Sequence, residues 1–344
     1  MQFKNLKWKL IVFLLVVCLL GTIVGAVSLG AVKIPFQKVI SVVGNKVVPF
    51  YTASQSGVNK TIIFNIRLPR VLLAGLVGFA LAAAGTVFQA LLKNPMADPY
   101  VIGISSGASL GAALGIIFNL QINLFGLNTI PLFSFGGALL TIIIVYNLAK
   151  AGGKIPVTTL LLAGVATGSF LSAIVSLLMV FNNQSMHEIV FWIMGSLAGA
   201  GWQDVQMSWF YILLGYGVIH FFAVDLNVML LGDESAQSLG IDVALVKKIL
   251  LVSGSLLAGA AVAVSGVIGF VGLIIPHIVR LVVGPDHRIL LPASALVGAS
   301  FLITTDTFAR TIIAPTEIPV GIITALFGAP FFLYLLRKKK GTIF

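Results

Sequence analysis

Residues 10–32 read LIVFLLVVCLLGTIVGAVSLGAV, an unbroken run without a single charge. At about 1.5 Å rise per residue, roughly 20 apolar residues cross a hydrocarbon core about 30 Å thick. The run is therefore long enough to span a bilayer once. The rest of the chain has the same character: 59% of its 344 residues are hydrophobic and 9% are charged, with a mean hydropathy of +1.10. Soluble domains carry about 25% charged residues. A soluble core cannot absorb this much apolar surface, whereas a membrane can.

Further apolar stretches predict spans near 70–92, 99–118, 131–149, 157–181, 205–224, 247–265, 268–280, 289–308 and 319–336, ten in all with the first. The eighth, within GVIGFVGLIIPHIVR, is short and glycine-rich. It predicts a broken helix, which a membrane tolerates only where protein or a cavity surrounds it. The segment 187–201 is too short to span and is expected at the surface. The chain reads as one all-α polytopic membrane domain, 1–344, with no soluble domain.

The charges lie between the apolar runs, as expected if each lipid-buried charge costs about 2.5–3.5 kcal/mol. The net charge of +11 is spread over segment ends and forms no aromatic-interleaved basic face, which argues against nucleic acid as a partner. The one cysteine, Cys18, lies mid-span, so no intrachain disulfide is possible. The start, MQFKNLKWK, resembles a signal n-region, but the apolar run after it is about twice the usual length, so an uncleaved first span is expected.

With the N-terminus inside, fourteen basic residues fall on the inner side and seven on the outer. The inner set is Lys4, Lys7, Lys9, Lys93, Lys150, Lys154, Lys247, Lys248, Arg280, Arg288, Arg337, Lys338, Lys339 and Lys340. The outer set is Lys33, Lys38, Lys46, Lys60, Arg67, Arg70 and Arg310. Ten spans then leave both termini cytoplasmic.

Chemical machinery is missing. There is no G-x-x-x-x-G-K-[ST] and no H-E-x-x-H. His187, His220, His277 and His287 have no second ligand at metal spacing. No catalytic residue, metal site or resident cofactor is expected. Ion-coupled transport usually needs ionisable groups at mid-membrane depth; the deepest acid here, Asp306, lies close to the outer end of the ninth span, with Arg310 one turn further on as a favourable i, i+4 partner.

Four features invite a role. Gly103, Gly107, Gly111 and Gly115, like Gly164 and Gly168, recur every fourth residue; such faces either pack helices closely within the chain or line a pathway or interface. Arg67 and Arg70, in RLPR, open the second span with Pro69 in its first turn. Both guanidiniums are expected to project from that outer end, either to pair carboxylates or simply to snorkel. The turn Lys93-Asn94-Pro95-Met96-Ala97-Asp98-Pro99 must be tight, because two prolines forbid a continuous helix. Finally, residues 225–246 read as two short helices around Gly232, with Asp233 and Glu234 near a helix start. Leu230, Leu231, Ala236, Leu239, Gly240 and Ile241 give that loop apolar faces too small to fold alone, so it wants a partner.

RLPR at 67–70, GTVFQALLKNPMADPYVIGISSGASLGA at 85–112 and FWIMGSLAG at 191–199 together resemble the iron-chelate and vitamin B12 uptake permeases of bacterial ABC importers, the FecCD type. LGDESAQSLGI at 231–241, GFVGLIIPHIVR at 269–280, GPDHRILLPASALVGA at 284–299 and DTFAR…EIPVGIITALFGAPFFLYLL at 306–336 belong to the same resemblance. It implies the vitamin B12 permease-like (type II importer) fold of ten transmembrane helices in the bacterial cytoplasmic membrane. It also implies a second permease subunit, identical or paralogous, two ATP-binding cassette subunits that bind the ATP, and an extracytoplasmic substrate-binding protein. Arg67, Arg70 and Arg310 would face carboxylates of that binding protein. The loop at Leu231, Gly232, Asp233, Glu234, Ala236, Leu239 and Gly240 would sit in a cleft of the ATPase. A ferric siderophore is the expected cargo; haem and cobalamin are the alternatives within the same architecture, and an ion-coupled secondary transporter is the alternative of another class.

Overall fold

The computed structural model describes residues 2–30, 34–37, 39, 60–119, 128–150 and 156–339. Lys33, Lys38, Lys46, Lys154 and Lys340 of the charge balance lie outside the described residues. Every regular element among the described residues is helical: α1 (Gln2–Ser28), α2 (Leu68–Leu91), α3 (Ile104–Phe118), α4 (Thr129–Ala149), α5 (Val157–Phe181), α6 (Asn183–Ile193), α7 (Trp202–Phe221), α8 (Ala223–Met229), α9 (Asp233–Ser238), α10 (Val243–Ser265), α11 (Val271–Val283), α12 (His287–Ala309) and α13 (Val320–Lys339). Among the described residues, six helical spans are long and apolar enough to cross a membrane, and α7 with α8, bent by 48°, makes a seventh if the pair is one span. Three further apolar helices, α3, α11 and α13, are shorter, and with them the apolar helical segments number near the ten expected.

The core is built around α2, because α2 is built of small residues. From Ala74 to Gly85 it reads AGLVGFALAAAG, and most of its side chains are fully buried. Small side chains let backbones approach closely, the chief route to helix packing where lipid offers no hydrophobic driving force. At Gly78 the backbone of α2 meets that of α12 at Gly298, and at Gly85 it meets α11 at Gly272; an added Cβ at any of these would lie under 3.0 Å from its neighbour. A glycine-to-alanine change inside a helix ordinarily gains about 1 kcal/mol. Here the clash with the Gly272 carbonyl reverses the sign. Gly85→Ala should lower stability by about 1–3 kcal/mol, read as an earlier thermal unfolding midpoint in detergent.

The four-residue glycine repeats serve packing within the chain. Gly107 and Gly111 bring α3 against Gly137, Thr141 and Phe133 of α4. Gly164 of α5 lies against Val101 and Ile102, in the 3-10 turn Pro99–Ile102. Gly103, at φ +81°, faces the Gly164 carbonyl so closely that an added Cβ would lie 3.2 Å from it, and Gly168 lies beside Gly103 and Ser106. The third predicted span thus starts with a separate 3-10 turn, and α3 proper begins at Ile104.

The expected broken helix is present between α10 and α11. Residues 266–270 leave helical geometry, with Gly266 at φ +67° and Phe270 at φ +70°. The freed backbone finds protein partners: Ser196 N–H donates to Ser265 O at 2.8 Å, and Tyr100 Oη to Ile268 O at 3.1 Å. Protein partners of this kind are what a bilayer requires of backbone that leaves a helix.

The segment 187–201 contains most of α6 and the turns after it, and Ile189 and Leu197 pin it to the bundle. In contrast to α2, helices α1 and α5 keep most of their apolar surface outside, including Phe13, Leu14, Leu162 and Phe170. Surface of that kind is covered by lipid or by another subunit.

Candidate functional site

Two polar clusters mark the two ends of the bundle. The first lies at the end that carries the start of α1 and the end of α13. There α8 and α9 sit on either side of Gly232, whose φ of +119° only glycine adopts without strain. This is the pair of short helices expected from the sequence. Its inward face is pinned at several points. Ala236 is fully buried, and its carbonyl accepts from Ile241 N–H at 3.1 Å. Asp233 receives Lys93 Nζ at 3.1 Å and Lys247 Nζ at 2.5 Å. Partial burial alone would raise the Asp233 carboxyl, but the bonds from Lys247 and Lys93 outweigh it and hold it below the usual carboxylate range.

Lys93 belongs to the tight turn between α2 and α3. That turn forms as expected: Asn94 Oδ1 accepts from Met96 N–H at 2.9 Å, Pro95 prevents helix continuation, and Asp98 Oδ1 caps the 3-10 turn through Tyr100 N–H at 2.8 Å. One turn before Lys93, Gln89 Oε1 accepts from Arg280 Nη2 of α11 at 2.9 Å, and Gln89 Nε2 donates to Leu273 O at 3.0 Å. The turn that holds Asp233 is thus bonded into both the central helix and the broken one.

Asn227 of α8 supplies another strut. Its Oδ1 accepts from His287 N–H at 2.8 Å, and its Nδ2 donates to Asp286 Oδ1 at 2.8 Å. Arg288 grips the same carboxylate through Nε at 3.0 Å and Nη2 at 2.7 Å, holding it down to about 2. The outward face of the segment has no such partners among the described residues: Leu231 and Leu239 are about 70% exposed (72% and 67%), with Glu234 and Gly240 exposed beside them.

The second cluster lies at the opposite end and corrects an expectation. Arg67, Arg70 and Arg310 do not project outward; they are 5–9% exposed. Arg70 Nη2 and Nε bind Asp306 at 2.8 and 3.0 Å, and Arg70 Nη1 binds Glu317 at 2.8 Å. Arg67 Nη1 donates to Val27 O at 2.8 Å, and Arg310 Nη2 donates to Ala26 O. The expected i, i+4 ion pair between Asp306 and Arg310 forms at 3.7 Å, and Arg70 on α2 is the closer partner of the same carboxylate. The physical reason is where the helix begins. A π-helical turn, Ile62–Arg67, runs directly into α2, giving one helix of 30 residues. RLPR therefore lies inside the helix, covered by the end of α1 and the α12–α13 connection. Pro69 has no N–H to donate, and the wider π turn just before it adapts the ladder to that gap.

Sequence reasoning missed Lys93 and Lys247 as partners of Asp233, Glu317 as partner of Arg70, and the Gln89–Arg280 and Asn227–Asp286 pairs. Each joins residues far apart in the chain, 14 to 247 positions, so no local period announces it. The available signal was a scarcity of acids: with ten carboxylates against twenty-one lysines and arginines, each acid near a helix end has a cation to find.

A family model described as the FecCD transport family matches residues 12–338. A cobalamin import system permease of Halobacterium salinarum, BtuC, is 47% identical over 289 residues, 83% of this chain and 77% of that protein. A hemin transport system permease of Yersinia pestis, HmuU, is 40% identical over 335 residues, 96% of each chain. Among solved structures, an inward-facing ABC transporter assigned to the metal-chelate type superposes with a TM-score of 0.82 at 33% identity, covering 96% of this chain and 99% of that one.

Proposed function

The chain belongs to the FecCD transport family of ABC importer permeases, and from that premise we propose that it carries a ferric siderophore across the bacterial cytoplasmic membrane, powered by two separate ATP-binding cassette subunits. A second permease copy, identical or paralogous, completes the pathway, and an extracytoplasmic binding protein delivers the chelate. Both termini lie in the cytoplasm, so the Asp233 end faces the ATPases and the Arg70 end faces the delivery protein.

The observation that carries this reading is the asymmetry of α8–α9. Its inner face is bonded to the α2–α3 turn, to α10 and to the α11–α12 linker, while its outer face offers Leu231 and Leu239 to solvent. A segment so held passes a push from its bare face into the bundle. Docking of the ATPase should then depend on those two leucines. Leu231→Asp with Leu239→Asp should reduce co-purification of the ATPase subunit at least about ten-fold, since apolar anchors at an interface centre cost about 2 kcal/mol or more when lost. The variant's own thermal unfolding should stay close to that of the parent. Undiminished co-purification would remove α8–α9 from the ATPase interface.

At the other end, the buried arginines order the surface on which a binding protein lands rather than serving as free contacts. Glu317, with its side chain 40% exposed, is the open edge of that cluster. The ion-coupled alternative finds little support: Asp306 is locked by Arg70 and lies near a helix end.

The iron-chelate reading of the cargo draws on the metal-chelate transporter that shares the fold. Hemin and cobalamin compete, since relatives for both are at least 40% identical. The ligand retained by the binding protein encoded beside this permease decides among them. A ferric siderophore is expected; hemin or cobalamin in its place would overturn the cargo and leave the permease assignment standing.

A further inference from the structure

A recess of about 370 Å³ opens between the N-terminal half of α1 and the first turn of α12, lined by Trp8, Lys9, Val12, Phe13, Arg288 and Ile289. From this recess we infer that the chain binds one anionic phospholipid there, its phosphate between Lys9 and Arg288 and an acyl chain over Val12, Phe13 and Ile289. The inference is independent of the cargo.

Three observations carry it. Arg288 is held in place: its guanidinium carbon stands 5.0 Å from the centre of the Trp8 ring, and Asp286 takes its Nε and Nη2. That leaves Nη1 without a partner among the described residues, directed by a fixed guanidinium rather than a flexible one. Lys9 is exposed and likewise has no hydrogen bond or ion pair among the described residues. It stands on the same helix face as Val12 and Phe13, three and four positions on. The recess therefore has at its rim the unpaired Lys9 ammonium and the open Nη1 donor of the Asp286-paired Arg288, above an apolar floor descending into the span, with Phe13 exposed to what surrounds it. A free phosphate would use the rim and gain nothing from the floor. A zwitterionic lipid would use the floor and bring a cation of its own to the rim. Only an anionic lipid uses both, and basic pockets between helices at the membrane surface recognise such headgroups.

The full chain in zwitterionic nanodiscs, with Trp192, Trp202 and Trp209 changed to phenylalanine, reports on Trp8 alone. Phosphatidylglycerol with brominated chains should quench that fluorescence at a concentration roughly five-fold or more below brominated phosphatidylcholine, about the factor expected for each cation near the surface. Lys9→Gln should remove about five-fold of that preference; Lys9 is solvent-exposed, so the fold should not depend on it. Because Trp202 bonds Phe64 O and its loss could disturb the bundle, native mass spectrometry of the unaltered chain supplies a second reading, with one phosphatidylglycerol retained beyond any phosphatidylcholine. Equal quenching by the two lipids, or equal retention, would overturn the site. Displacement of the lipid by inorganic phosphate would assign the rim to the free anion and overturn the lipid.

Discussion

Replacing Arg70 with alanine should destabilise the chain by about 3–5 kcal/mol, because it strands a buried carboxylate. Asp306 is 1% exposed, and its two close ionic bonds both come from Arg70. Arg310 offers it only a looser 3.7 Å ion pair without a hydrogen bond. Glu317 also loses its partner, but its side chain is 40% exposed and can rehydrate. Glu317→Ala should therefore cost no more than about 1 kcal/mol, the range of exposed pairs. Thermal unfolding in detergent, with folded yield after purification, separates the two variants. A third makes the cause explicit: Arg70→Met combined with Asp306→Leu removes both charges and should recover most of the loss, since apolar replacements of buried ion pairs are often neutral. Had Arg70 been a free docking contact, as the sequence suggested, Arg70→Ala would fold like the parent and lose only uptake. That outcome would restore the docking role and remove the structural one.

Asp233→Lys should do the reverse, leaving the fold intact and breaking the transport cycle. Its two lysine contacts are partly exposed, with side chains 31–49% accessible, and such pairs contribute little to stability. Their position matters more than their strength. Lys93 and Lys247 fix α9 to the α2–α3 turn and to α10, and the turn continues through Gln89 to Arg280 of the broken helix. A third lysine among the two repels where the aspartate attracted. In the assembled transporter, ATP hydrolysis should continue while cargo uptake falls at least about ten-fold, with an unfolding midpoint close to the parent's. Unchanged uptake per ATP hydrolysed would show that the push does not pass through Asp233. A lower folded yield would show that the contacts are structural after all.

Much of this architecture is legible in the chain because the bilayer enforces it. A run such as residues 10–32 has one sensible reading, and Gly232 between short amphipathic pieces forecasts α8 and α9. The shortness of GVIGFVGLIIPHIVR forecasts the interruption at 266–270, since a helix of that length cannot cross alone. The glycine repeats forecast close approach, but not which neighbour approaches, and it proved to be α4 for Gly107 and Gly111. What escapes the sequence is the direction of a charged side chain at a helix end. RLPR looks like an opening turn because Pro69 favours that place, yet the helix begins earlier through a π turn and carries both arginines inside. The same holds for Asp233, whose acid character suits a helix start, and whose binding to Lys93 is a tertiary fact that no spacing encodes.

On the proposed reading this permease is driven from its Asp233 end by other subunits. Uptake of the radiolabelled cargo into liposomes tests it, with the permease reconstituted alone or with its ATPase and binding protein. Accumulation should require both companions and ATP, and an imposed proton or sodium gradient should not replace them. Cargo moving on such a gradient into liposomes holding this chain alone would contradict the account.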